Sequence, residues 1–432
     1  MLFRSKYSKI DNQLFKDNRQ RLAANMEPQS VAILFSNDVM PRGGDQNYAF
    51  HQHADLFYLS GIDQADTILA FCPQHENPAL REVLFITENN EHSKIWTGNK
   101  YSKEEAREIS GISTVYWCSE AEKILRELIL SSKTIYFDLP ENKAYVSQVT
   151  TNNERQAAYY RSLYPLHNYA RLAPIMEQLR VQKSSIELQL LQQACKITGD
   201  TFKDLLTQVH AGMGEYEIEG RITNGFLSRR ATCHSFHPRV ASGKNACILH
   251  YEDNHDICQD GDLLLLDMGA EYAHYAGDLS RTIPINGKFS PRQKQIYEAC
   301  LEVFNYAKTL YVPGMSINKI HRLTLQKMQE QLLKIDLIKQ QEIEQEVVKY
   351  DSVRKYFMHG TAHFVGLDVH DVGGKDTVLD YGMVLSCEPG IYVAEEGIGI
   401  RIETMMQVND HPIDMMADVP STVQEIESIM QK

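Results

Sequence analysis

Short apolar runs set off by polar turns and amphipathic stretches mark out the first half of the chain. Val31–Phe35 is an unbroken apolar run followed by Ser36, Asn37 and Asp38, which predicts a buried strand. Similar runs at Thr67–Cys72, Val83–Thr87 and Thr134–Phe137 predict three more. Helical spacing fills the gaps, at Ser102–Glu108 and Glu120–Leu130. Strands alternating with helices predict an α/β layer arrangement. Pro165 and Pro174 then break the pattern between Tyr164 and Val181. A new amphipathic helix follows, opened by a capping box at Ser184–Glu187 and carried by Ile186, Leu190, Ala194 and Ile197. The domain boundary is expected near residue 175, giving domains 1–175 and 176–432.

The second half is organised around Gly261–Pro284. Leu263–Leu266 lead straight into Asp267, which predicts a buried strand ending on an acid. Gly269 and Ala270 permit a turn, the chain returns through Tyr272–Tyr275, and Asp278 arrives eleven positions after Asp267. A hairpin centred near Tyr272 and Ala273 would set the two carboxylates across from each other. Two such acids repel strongly unless a cation lies between them. Helices are expected over Glu215–Leu227, Ser290–Ala307 and Ser316–Leu333, with a solvated charged segment at Lys334–Asp351. Val384 and Leu385 lead into Glu388 as a strand would, and Pro389-Gly390 turns the chain. Ile400 and Ile402 alternate with Arg401 and Glu403, which puts the two charged residues on one strand face. On this pattern alone Glu403 reads as an exposed acid.

Length and charge narrow the options. A chain of 432 residues predicts two domains, and 43% hydrophobic with 23% charged residues is ordinary for a globular protein. A net charge of −13 disfavours nucleic acid and anionic membrane as partners, which need a basic face. No transmembrane run and no signal peptide are apparent, and the 8 cysteines lack any paired C-x-x-C spacing. Reduced thiols and a cytoplasmic location are expected.

The chemistry concentrates near the C-terminus. His359, His363 and His370 fall within the glycine-broken stretch Met358–Asp371, and His250 precedes the Asp267 strand. His51, His53 and Asp55 lie at spacings that fit surface or structural roles. Two Asp, two Glu and at least one His form a donor set for hard or borderline divalent ions such as Mn²⁺, Co²⁺ or Zn²⁺. Four carboxylates balance two such ions.

The ordered set Asp267, Asp278, His363, Glu388 and Glu403 resembles the five-ligand pattern of the pita-bread metallopeptidases. That family includes methionine aminopeptidase, prolidase and aminopeptidase P. Met358–Asp371, Glu388-Pro389-Gly390-Ile391-Tyr392 and Gly399–Glu403 are similar to the bacterial aminopeptidase P motifs. Tyr48–Gly61 resembles the N-terminal domain that precedes them. The resemblance implies a pita-bread catalytic domain of two αβ halves behind a smaller α/β N-terminal domain. It implies Asp278 and Glu403 bridging two ions, Asp267 holding one, and His363 and Glu388 the other. A metal-bridging hydroxide would be the nucleophile and Glu388 the proton shuttle. His250 and His370 would contact substrate, and His359 would stand on the leaving side with Tyr392 nearby. Arg401 would pair with the carboxylates, and Trp96 would close a neighbouring subunit's site in a homodimer or homotetramer. The implied activity is Mn²⁺-dependent removal of an N-terminal residue from peptides with proline second. Prolidase is the alternative, and a non-catalytic peptide-binding protein a more distant one.

Overall fold

The computed structural model describes residues 5–141 and 148–431, and the chain forms two compact units. One runs from Ser8 to Arg180; the other is built from Val181 onward and takes in Tyr7.

The N-terminal unit is a six-stranded mixed sheet in the spatial order Thr114–Trp117, Glu82–Ile86, Ile68–Phe71, Ser30–Phe35, Thr134–Phe137 and Asn168–Arg171. Val31, Ile33, Val83, Phe85, Leu125 and Leu128 are fully buried in its core. The four inner strands are those predicted by apolar runs. The two edge strands escape that signal because one or both of their faces stay partly exposed, and Asn168–Arg171 is polar at both ends. Asp55, a candidate by type alone, is buried in an ion pair with Arg180 at 2.8 Å. His53 lies 3.6 Å from Asp138. Pro174 stands in the first turn of the helix Ala173–Val181, where its missing N–H breaks no helical bond. The proline-marked stretch is therefore a strand and a helix, and the two units part between Arg180 and Val181.

The second unit begins with helix α1 (Ser185–Leu205), capped as expected: Ser184 Oγ accepts from Glu187 N–H, and Glu187 Oε2 accepts from Ser184 N–H at 2.8 Å. After α2 (Glu215–Ser228) come β1 (Arg239–Ser242), β2 (Leu263–Met268) and β3 (Leu279–Pro284). These form one antiparallel sheet in that order. Helices α3 (Pro291–Lys308) and α4 (Ile317–Lys334) lead to a second set of strands, β4 (Val384–Cys387), β5 (Gly390–Val393), β6 (Ile398–Arg401) and β7 (Thr404–Gln407). β5 pairs with β6 and β4 with β7, both antiparallel. Among the described residues no helix is long and apolar enough to cross a membrane.

The β2–β3 hairpin differs from expectation in its register. Its tip is the two-residue turn Ala273-His274, with φ of 52° and 66°, and Tyr272 faces Tyr275. Two consecutive positive φ values match the tight turns that follow the twist of a hairpin. Asp267 therefore pairs with Ser280, not with Asp278. The shift is two residues, an even number, so both aspartates keep the same face. Gly269 and Gly277 interrupt the ladder beside Asp278. A Cβ on Gly269 would lie 1.9 Å from Gly277 O and 2.2 Å from Ser235 Oγ. One on Gly277 would lie 2.7 Å from Thr198 Oγ1 of α1.

Gly269→Ala is accordingly expected to destabilise the second unit by about 3 kcal/mol, the upper end for inserting a group into a full core. A thermal or denaturant melt of the intact chain should show a lowered midpoint for that unit, and an unchanged midpoint would contradict the tight packing at this turn.

Candidate metal centre and active site

Strand β3 brings Asp278, Ser280 and Thr282 to one face by its two-residue period. Against this face comes the chain running from β6 into β7. Glu403 N–H donates to Ser280 O at 3.0 Å, and Arg401 N–H donates to Thr282 Oγ1 at 3.2 Å. Glu403 is thereby 3% exposed, not the surface acid its local pattern suggests. Its Oε2 accepts from Ser280 Oγ at 2.6 Å, and its main-chain carbonyl accepts from the buried Arg281.

His363 and Glu388 enter from the loop before β4 and from its end. Glu388 N–H donates to Thr361 O, and His363 N–H donates to Ser386 Oγ, so the two segments are laced together. His363 Nε2 lies 3.3 Å from Asp278 Oδ2 and 3.6 Å from Glu388 Oε1. Its Nδ1 lies 3.0 Å from Phe364 O, which fixes that nitrogen as the donor and leaves Nε2 facing the acids. Ligand atoms of Asp278, His363 and Glu403 all lie within 4.8 Å of one another, close enough to share a cation.

Arg401 organises the remainder. Its Nε donates to Ser280 Oγ at 2.8 Å, Nη1 to Tyr392 OH at 2.9 Å, and Nη2 to Asp267 Oδ2 at 2.7 Å. Tyr392 OH in turn lies 2.9 Å from His359 Nε2, while His359 Nδ1 lies 2.8 Å from Gly360 O. A carbonyl accepts only, so Nδ1 carries the proton, Nε2 is the acceptor, and the tyrosine hydroxyl donates to it. Burial, then the neighbouring Arg401 charge, lowers the His359 pKa to about 3 and keeps the ring neutral. His370 packs its ring on His363 at 4.3 Å between centroids, and both His370 and His250 are exposed. Ser280, Arg281 and Arg239, which holds a long contact to Asp267 at 3.4 Å, were not anticipated. The alternation of Asp278, Ser280 and Thr282 is the one signal that marks Ser280 in advance.

The titration of these groups follows from crowding acids away from water. Burial raises Glu388 to about 7, with Asp278 and Asp267 adding to the rise and His363 and Arg401 opposing it. Burial and then the adjacent Asp278 and Glu388 push Glu403 well above the carboxylate range, and burial raises Asp278. Burial opposes the charge on His363, yet the Asp278 hydrogen bond and Glu388 raise it to about 9. Among these four acids, Asp267 holds Arg401 at 2.7 Å and Arg239 at a longer 3.4 Å. Oxygen donors in excess of cations, with one imidazole, fit divalent metal ions.

Comparison with known proteins identifies the family. The model for metallopeptidase family M24 matches residues 189–410, more than half of the chain, and that for the aminopeptidase P N-terminal domain matches residues 15–136. The chain belongs to metallopeptidase family M24. Within it, the chain is similar to the Xaa-Pro aminopeptidase of Escherichia coli K12, at 33% identity over 98% of each chain. Among solved structures, Pseudomonas aeruginosa aminopeptidase PepP superposes with a TM-score of 0.90 at 29% identity, covering 98% of both chains. A Glu-to-Ala variant of Escherichia coli aminopeptidase P in complex with substrate gives 0.86 at 32% identity, over 98% of this chain and 99% of that one. The two-domain arrangement of an aminopeptidase P N-terminal domain before a pita-bread catalytic domain is the fold of this chain.

The raised carboxylates give a pH dependence of definite sign. Groups whose folded pKa lies above the unfolded value hold protons that the unfolded chain releases, so their contribution favours folding at low pH and is lost as pH rises through about 7. A divalent cation must displace the same protons. The thermal stabilisation by added Mn²⁺ is thus expected to be larger at pH 8 than at pH 6, with proton release on binding. Equal stabilisation at both values, measured by melting and by calorimetry in two buffers, would contradict this assignment.

Proposed function

We propose that the chain is a dinuclear-metal Xaa-Pro aminopeptidase, hydrolysing the bond between an N-terminal residue and a penultimate proline. The observation that carries the reading is the convergence of Asp267, Asp278, His363, Glu388 and Glu403 around Arg401, in a chain similar over its whole length to Xaa-Pro aminopeptidases. Asp278 and Glu403 are assigned to both ions, Asp267 to one, and His363 and Glu388 to the other. Two divalent ions there would polarise the scissile carbonyl and supply the nucleophile as a bridging hydroxide at neutral pH. Mn²⁺ is the ion proposed, with Co²⁺ and Zn²⁺ suited to the same donors.

The protein's own groups divide the remaining work. Glu388, partly open with a side chain 19% exposed, takes the proton of the attacking water and gives it to the leaving prolyl nitrogen. That nitrogen belongs to a tertiary amide and carries no proton of its own, so the delivery is required for the bond to break. His250 and His370, at the open rim, contact the substrate and stabilise the tetrahedral intermediate. His359 stands beside Glu388, with Nδ1 at 3.6 Å from Oε2, on the leaving side. All eight cysteines are free, which suits the proposed cytoplasmic location. A homodimer or homotetramer belongs to the same reading, with Trp96, 75% exposed, as a residue of the subunit contact.

Chelator-stripped protein is expected to be inactive and to recover on addition of Mn²⁺, cleaving an Xaa-Pro-Xaa tripeptide after its first residue. Glu388→Ala should lower kcat by at least about a hundredfold, in line with loss of a general acid–base group. Cleavage of an Xaa-Pro dipeptide alone would make the protein a prolidase. Cleavage of neither substrate, with two ions bound, would remove both proline-directed activities.

A further inference from the structure

Arg239 opens β1 and pairs directly with Asp267 of β2. Directly paired residues of an antiparallel sheet project to the same face, so its guanidinium shares the face that carries the acids. Its bonding there is poor. Nη1 reaches Asp267 Oδ2 at 3.4 Å, an oxygen that Arg401 already holds at 2.7 Å. Nη2 lies 3.8 Å from Glu252 Oε1, beyond hydrogen-bond distance, and that glutamate side chain is 58% exposed. Nε is buried and has no hydrogen-bond partner among the described residues. A guanidinium offers five N–H donors in a fixed fork, and this one uses a single long bond. The ring of Phe236 lies 5.0 Å from its Cζ and supports the plane from one side.

A purely neutralising role fits these distances badly. Asp267 has a nearer and better-aligned partner in Arg401, and a cation bound at Asp267 would repel Arg239 further. The fork stands instead on the face that carries the acids, its side chain 16% exposed and most of its donors unused.

We propose that Arg239 recognises a carboxylate of the peptide substrate and sets a preference for peptides that carry one close behind the proline. The proposal rests on the peptide-hydrolase reading above. The carboxylate has two sources, the C-terminus of a short peptide or an acidic side chain after the proline. Arginine suits either, because its fork matches carboxylate geometry bidentately. Peptides with a basic residue at the same place are disfavoured by the same charge.

The test uses Mn²⁺-loaded full-length protein, wild type and Arg239→Gln, at low ionic strength. Substrates are Ala-Pro-Ala as the free acid, Ala-Pro-Ala-amide, and Ala-Pro-Asp-amide. Wild type is expected to favour one or both carboxylate peptides over the neutral amide by about tenfold in kcat/KM, the scale of one charge-assisted contact. Preference for the free acid identifies the C-terminus as the source, and preference for the aspartyl peptide identifies the side chain. In R239Q the ratio should collapse toward one, with Arg239→Lys retaining part of it. A ratio unchanged between wild type and R239Q overturns the proposal, as does loss of bound Mn²⁺ from R239Q with the ratio intact. Calorimetry with Pro-Ala and Pro-Ala-amide gives the same acid-to-amide comparison without turnover. It therefore decides the role of Arg239 even if hydrolysis fails and the proposed activity falls.

Discussion

Acids held close together away from water set the problem that the second unit solves. Asp278 and Glu403 are almost wholly buried, and Glu388 and Asp267 stand beside them. Desolvation alone makes such a group unstable as an anion, and each neighbour raises the cost. Arg401 is bound tightly among them. It is held by three hydrogen bonds to Ser280, Tyr392 and Asp267, so it cannot swing to follow charge. Arg401, His363 and the longer contact of Arg239 do not balance four acids, and the deficit is filled by protons at low pH and by divalent cations otherwise. Affinity for metal is thus a consequence of how the fold crowds its acids.

The crowding is imposed by main-chain contacts more than by the acids' own preferences. The hairpin β2–β3 carries two of them, and the end of β4 with the β6–β7 junction carries the other two. The two pieces are joined where Glu403 N–H meets Ser280 O and where Arg401 N–H meets Thr282 Oγ1. Ser280 is central to this join. Its carbonyl receives the Glu403 amide, and its hydroxyl receives Arg401 Nε while donating to Glu403. A side chain that accepts from the cation and donates to the acid transmits the arginine's charge to a carboxylate that Arg401 does not itself bond.

Much of this was legible in the sequence, and the exceptions have physical causes. Apolar runs identify buried strands, so Leu263–Leu266 and the four inner strands of the N-terminal sheet were clear. The hairpin turn was placed one residue early, because Ala273 and His274 lack the glycine or asparagine that usually marks two positive φ values. The resulting error of two in register left the face unchanged, so Asp267 and Asp278 still share one face. Glu403 looked exposed because period-two alternation reports only which face a residue occupies. Whether another strand covers that face depends on contacts more than a hundred residues away. Arg239 was invisible for the same reason, since its partner Asp267 comes from a different strand. The family resemblance supplied the ligand set that local pattern alone left open.

The hydrogen-bond chain from Arg401 through Tyr392 to His359 limits where a proton can go. Arg401 donates to the tyrosine oxygen, the tyrosine donates to Nε2, and Nδ1 donates to Gly360 O. Every position in that chain is filled in one direction. His359 therefore has no lone pair free to accept a proton from Glu388, although the two lie 3.6 Å apart. Acid strength points the same way: burial and the Arg401 charge lower the His359 pKa to about 3, while burial raises that of Glu388 to about 7, so the carboxylate is the stronger base. A proton taken up by Glu388 is retained there until another acceptor arrives. In the proposed reaction the first such acceptor is the prolyl nitrogen, once attack on the carbonyl has removed its amide resonance. In that proposed reaction the neutral, hydrogen-bonded His359 keeps the proton on the group assigned to deliver it.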